Sequence, residues 1–151
     1  MAGQGKTTKD YAAALVVDGW TVLFICVPNT VHLNVVPIPT SHGVGKQRYP
    51  DIAAVKGNVV LLVEVEMSLT SAVAIDITLR FQEMLTSLLN PEIYAEWATM
   101  VSRNLQEILP STPIFEFRLV LVRNLSLSHQ PYLEKLSSYN IGVFPAIDIA
   151  K

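Results

Sequence analysis

Apolar positions along the chain fall into helical stripes and strand-like runs whose order predicts an α/β fold. An Ala-rich stretch from Thr7 or Thr8 to Asp18 reads as a helix, with Gly19 where a C-terminal cap glycine belongs. Trp20 to Val27 is an unbroken apolar, β-branched run of the kind found in parallel or central strands. Pro28-Asn29 closes it, and the pattern partly resumes from Val31 to Val36. An irregular loop follows from Pro37 to Pro50, with three prolines and two glycines. Asp51 to Lys56 reads as a short strand, Gly57-Asn58 as a turn, and Val59 to Met67 as the strongest strand of the chain.

The second half predicts helices before it predicts strands. Ser68 or Ser71 can cap a long helix reaching Leu89. Asn90 before Pro91 marks a second helix, to about Leu109. Phe115 to Val122 is a strand with Phe115, Phe117, Leu119 and Leu121 on one face. Pro131 opens a short helix to Ser138, and Ile141 to Phe144 is a last strand. The early strands have short connections and suit an antiparallel meander. The strand after the long helices suits a parallel crossover. The expected class is α/β, a mixed sheet with helices on both faces, in the order α-β-β-β-α-α-β-α-β.

One strand carries a chemical signal. Val59, Leu61, Val63, Val65 and Met67 share a wholly apolar face, while the other begins with Val60 and Leu62 and turns acidic at Glu64 and Glu66. Carboxylates two positions apart on one side of a strand are roughly 7 Å apart and repel unless water, a basic side chain or a metal offsets them. The tight turn at Gly57-Asn58 brings Asp51 back towards Glu64 or Glu66. Three carboxylates then converge beside an open loop, an oxygen set that suits Mg²⁺ (or Mn²⁺). The bland reading leaves Asp51 as a turn residue after Pro50, and the two glutamates as the solvated end of a strand.

Composition narrows the choice. With 151 residues, half of them hydrophobic and 16% charged, the chain fits a single domain, 1–151, with residues 1–6 expected to be disordered. The net charge of -2 supplies no global field for nucleic acid. The charge is uneven, however. Residues 1–56 carry five basic and three acidic side chains, against six and ten in the remainder. His42, Lys46 and Arg48 place the positive share in the irregular loop. A single Cys26 excludes an internal disulfide and fits a reduced, cytoplasmic setting. No apolar run reaches the roughly 18 residues a membrane span needs, so no membrane partner is expected.

Pro50-Asp51 followed by Glu64-Val65-Glu66 on the third strand resembles the PD-(D/E)XK nuclease superfamily. The first helix ending at Gly19-Trp20, the strand order and the long helix after Glu66 resemble its common core, over about residues 6–123. The resemblance implies a restriction-endonuclease-like three-layer fold and Mg²⁺-dependent hydrolysis of DNA phosphodiester bonds. It implies that Asp51, Glu64 and the Val65 carbonyl hold the metal, with Asp51, Glu64 and Glu66 catalytic. Glu66 departs from the pattern, standing where the family usually has Lys. A carboxylate cannot donate positive charge, though it can accept a proton from water. Lys46, Arg48 and Arg80 are candidates for the missing charge. Together with Gln82 they are candidates for substrate binding. A homodimer is expected, from the apolar composition of a short chain and the need to engage two strands. The rival reading is an inactive nuclease-fold protein, an interaction or regulatory module whose partner surface includes Tyr94 and Trp97.

Other residues carry weaker signals. Gly5-Lys6-Thr7 lacks the strand and leading glycine of a phosphate-binding loop. His32, His42 and His129 show no ligand spacing. Cys26, inside an apolar run, is expected to be a packed core thiol.

Overall fold

The computed structural model describes residues 3–27, 35–39 and 48–145. Helix α1 spans Gln4–Val17. Strands β1 (Thr21–Ile25), β2 (Ile52–Lys56) and β3 (Val59–Glu66) follow. Helices α2 (Ser71–Leu88) and α3 (Pro91–Leu105) precede β4 (Ile114–Leu121). A single 3₁₀ turn at Leu127–His129 leads into α4 (Gln130–Ser138) and β5 (Ile141–Pro145). The element order is the one the pattern predicts.

The sheet runs β1-β2-β3-β4-β5. The first two pairings are antiparallel and the last two parallel. Each side of the sheet has its own core. Val60, Leu62, Phe117, Leu119 and Leu121 pack with α2, α3 and α4 through Ile77, Phe81, Trp97 and Leu136. Leu61, Val63, Val65 and Val120 pack under α1 with Tyr11 and Leu15. The rings of Phe81 and Phe117, 4.9 Å apart, tie α2 to β4, a contact worth about 0.5–1.5 kcal/mol beyond area burial. This is a three-layer α/β arrangement, and alternation along β3 sends its acids to the α2 side.

Several local expectations are corrected. The first turn of α1 forms from Gln4 to Lys6, so those three residues are helical rather than disordered. They are held by Thr7 N–H on the Gly3 carbonyl, by Thr8 Oγ1 on the Gln4 carbonyl, and by bonds from the Gln4 side chain to β3. Among the described residues β1 lies at the sheet edge rather than in its centre, paired antiparallel with β2 as the short connections predict. Its apolar run reflects cover on both faces, by α1 and by the larger core; a bulge between Val22 and Phe24 puts Leu23 and Phe24 into the latter. Thr70, not Ser68 or Ser71, caps α2, its hydroxyl accepting from Val73 N–H at 3.1 Å. Helix α3 starts at the expected Asn90 cap but ends at Leu105, where Gln106 turns left-handed with φ 58°.

Candidate active site

Strand counting builds the site. Gly57, with φ 61°, lets a two-residue turn join β2 to β3. The register from that turn pairs Lys56 with Val59 and Ile52 with Val63. Asp51, the residue before β2, therefore arrives beside Glu64. Because β2 stops at Ile52, the Val65 N–H and C=O have no strand partner on that side. Asp51 Oδ2 accepts the Val65 N–H at 2.7 Å. Gln4 Nε2, at the start of α1, donates to the Val65 carbonyl at 2.9 Å and lies 3.4 Å from Glu66 Oε2. The Asp51 backbone is tied as well, its carbonyl accepting from Cys26 N–H at 2.7 Å.

Glu64 is the buried centre, with 1% of its surface exposed. Burial, then the charge of Asp51, push its carboxyl well above the usual carboxylate range, against the pull of Arg80. Contact between the two carboxyls raises Glu64 further and lowers Asp51. Burial raises Asp51 too, opposed by the Val65 N–H bond. Glu66 is raised by burial and lowered by Arg80. From α2, Arg80 Nη2 reaches to 3.1 Å from Glu64 Oε1, and its Nη1 lies 3.9 Å from Asp76. The contact with Glu64 lacks hydrogen-bond geometry, so Oε1 stays buried without a hydrogen-bond partner.

This orphaned oxygen tests whether the residues suit a metal. Asp51, Glu64, Glu66 and the Val65 carbonyl form an all-oxygen set, the chemistry a hard divalent cation takes. Yet no three His, Cys, Asp or Glu side chains among the described residues are gathered closely enough to hold an ion. Asp51 and Glu64 meet, while Glu66 sits at the end of the strand beside Gln4. The expected closed triad is thus an open pair with a third acid alongside. The donors fit the ion by chemistry, with the Glu64 carboxyl in its ionised form.

The remaining candidates divide. Arg80 is at the site. Arg48 is bound side-on by Glu83 of α2, Nε to Oε1 and Nη2 to Oε2, each at 3.1 Å. Gln82 is exposed and about 200° around α2 from Arg80, so it projects away from the acids. Lys46, His32 and His42 lie outside the described residues. His129 accepts the Ser126 N–H at 2.8 Å, as part of a helix cap. Cys26 is the packed thiol expected; burial pushes it up to about 11, with Asp51 and Glu64 adding to the shift. Trp97 cannot belong to a partner surface. It is fully buried, and its indole N–H donates to the Val36 carbonyl at 3.0 Å. Tyr94 is also buried, its hydroxyl donating to the Pro110 carbonyl at 2.6 Å. Sequence reasoning missed Gln4. It stood in a segment read as disordered, and no spacing signal ties it to a strand about 60 residues away.

A five-stranded mixed sheet with helices on both faces, and paired acids where β2 gives way to β3, defines the restriction-endonuclease-like class. Residues 31–87 match the family model described as archaeal Holliday junction resolvase, a family of the PD-(D/E)XK nuclease superfamily. The match covers a little over a third of the chain, taking in β2, β3 and nearly all of α2. It contains Asp51, Glu64, Glu66 and Arg80, and leaves out α1 with Gln4. The resemblance read from Pro50-Asp51 and Glu64-Val65-Glu66 is thereby borne out. Comparisons with curated proteins and with solved structures return no match. Among the described residues, no helix is long and apolar enough to cross a membrane.

Proposed function

We propose that this protein is a divalent-metal-dependent endonuclease that hydrolyses phosphodiester bonds in DNA, with four-way junctions as its substrate class. The observation that carries the reading is the Val65 N–H bond, which fixes the Asp51 carboxylate against the buried Glu64. A strand-end acid with no functional role would turn to water, not lie against a second acid in the interior. The junction substrate follows from the name of the matched family.

Asp51 and Glu64, with the Val65 carbonyl, would hold Mg²⁺ or Mn²⁺. A cation bound there activates water and neutralises charge on the phosphate. Glu66, less buried than Glu64, accepts the proton that the attacking water loses. Arg80 supplies the positive charge that Glu66 cannot, because its guanidinium already lies 3.1 Å from Glu64. Holding the ion would need the ionised form of Glu64 and the Val65 carbonyl, which now accepts from Gln4. A net charge of -2 makes DNA contact local and salt-sensitive. Two copies, one per strand, would match the two-fold character of a junction.

The test is incision of a synthetic four-way junction, against a linear duplex of the same sequence, with Mg²⁺ or Mn²⁺. Paired cuts that need metal and vanish in Asp51→Asn and Glu64→Gln support the reading. Junction binding without incision at any metal concentration overturns it. The interaction module would take its place, with Arg80 and Gln4 as fixed plugs of the site.

A further inference from the structure

We infer that Arg48 and Glu83 form a positioning pair that sets the spacing of the metal-site acids, and that Arg48 does not contact DNA phosphate. This rests on the nuclease reading above.

The pair closes a ring of contacts. Arg48 lies three residues before Asp51, through Tyr49 and Pro50. Glu83 lies three residues after Arg80, about one turn along α2. Asp51 meets Glu64, and Glu64 meets Arg80. The two-pronged Arg48–Glu83 bond therefore joins the chain entering β2 to the helix holding the cation on Glu64. It adds a polar tether between the chain before Asp51 and α2, beside the Val65 and Cys26 bonds of Asp51 and the Arg80–Glu64 contact.

Arg48 is also held by its backbone. Its N–H and C=O both bond to Ile38, at 3.2 and 2.6 Å. Ile38 is fully buried, and two residues earlier Val36 accepts the Trp97 indole N–H. The guanidinium thus projects from a fixed strand-like bridge pinned to α3. A planar fork facing a carboxylate is the most geometrically specific ion pair available. Both side chains are about one-third exposed or less, so the bond is partly shielded from water. These features suit a residue that places others more than one waiting for a phosphate.

The two roles make opposite forecasts for Glu83. If Arg48 binds phosphate, Glu83→Ala frees it and removes a negative charge, so junction binding tightens. If the pair positions the acids, Arg48→Ala and Glu83→Ala act alike. Each raises the Mn²⁺ concentration for half-maximal thermal shift about 10-fold, as loss of a ligand-orienting partner does. Junction affinity, measured in Ca²⁺ to block incision, stays the same. The charge-reversed double variant, Arg48→Glu with Glu83→Arg, recovers most of the Mn²⁺ response. Glu83→Gln, which keeps an acceptor, serves if Glu83→Ala does not fold; circular dichroism reports the fold. A wild-type Mn²⁺ midpoint in the Glu83 variants, or tighter junction binding, overturns the inference and leaves the nuclease reading standing. Absence of any Mn²⁺ shift and of incision in the unaltered protein overturns both.

Discussion

Asp51 and Val65 face each other across the open end of the β2–β3 hairpin, with the carboxylate Oδ2 accepting the Val65 N–H at 2.7 Å. A side chain here replaces the strand partner that β2 no longer provides. The same bond opposes the rise that burial imposes on Asp51 and directs its carboxylate at Glu64.

That bond can be isolated by comparing two substitutions. Asp51→Asn and Asp51→Ala both remove the charge that repels Glu64, and both should abolish the Mn²⁺ thermal shift. Only Ala leaves the Val65 N–H without an acceptor, at a cost of about 1–3 kcal/mol. Urea unfolding without metal should rank Asn above Ala by roughly that amount. Equal midpoints and slopes would show that the cap contributes nothing to the fold.

Glu64 makes the metal-free protein pH-dependent in a defined direction. Its folded pKa is raised, first by burial and then by Asp51. The folded state then binds more protons than the unfolded one, and stability falls as pH rises. The contribution is complete below the ordinary Glu value of 4.5 and is lost as pH climbs through the raised folded value. Melting temperature without metal should therefore decline as pH rises above the ordinary Glu value. Glu64→Gln should flatten the decline and raise Tm at pH 8 by about 2–4 °C for each kcal/mol recovered. Mn²⁺ needs the ionised carboxylate, so the Tm gain it confers should grow over the same interval. A metal-free profile identical in wild type and Glu64→Gln would contradict the assignment.

On the nuclease reading, substitution of Arg80 should separate metal binding from chemistry. Removing a preorganised donor to developing charge costs about 10²–10³-fold in rate. Arg80→Ala should lose incision to that extent in single-turnover assays and keep a Mn²⁺ shift. Arg80→Lys should retain part of the rate, because a point charge replaces the fork. Wild-type turnover in Arg80→Ala would remove the residue from the mechanism.

Trp97 should prove structural. Trp97→Ala leaves a cavity and strands the Val36 carbonyl, costing about 3–5 kcal/mol. Against a total of about 5–15 kcal/mol, that is a large share. Trp97→Phe keeps most of the volume and loses the N–H bond, for roughly 1 kcal/mol plus repacking. Denaturant unfolding measures both, and a near-neutral Trp97→Ala would place the indole outside the core.

The return of Asp51 towards Glu64 or Glu66 was legible because it is local counting, and the structure selects Glu64. A Gly-Asn turn of two residues sets the register, alternation assigns the faces, and no distant contact is needed. The burial of β3, the Asn90-Pro91 start of α3 and the parallel crossover to β4 were legible for the same reason. The cap at Thr70 was missed because three hydroxyl residues near the start of α2 satisfy the same local rule. The end of α3 was missed because a left-handed Gln106 carries little sequence signal.

What the chain order alone determined is the gathering of Asp51 with the β3 acids, from spacing along one strand and one turn, and the α/β layering, from the order of the elements. What only the folded chain decided is which partners meet those acids, Arg80 from α2 and Gln4 from α1, and that Glu83 binds Arg48. Those depend on how each helix is rotated and docked when its apolar face is buried, and that burial is fixed by residues far away in sequence.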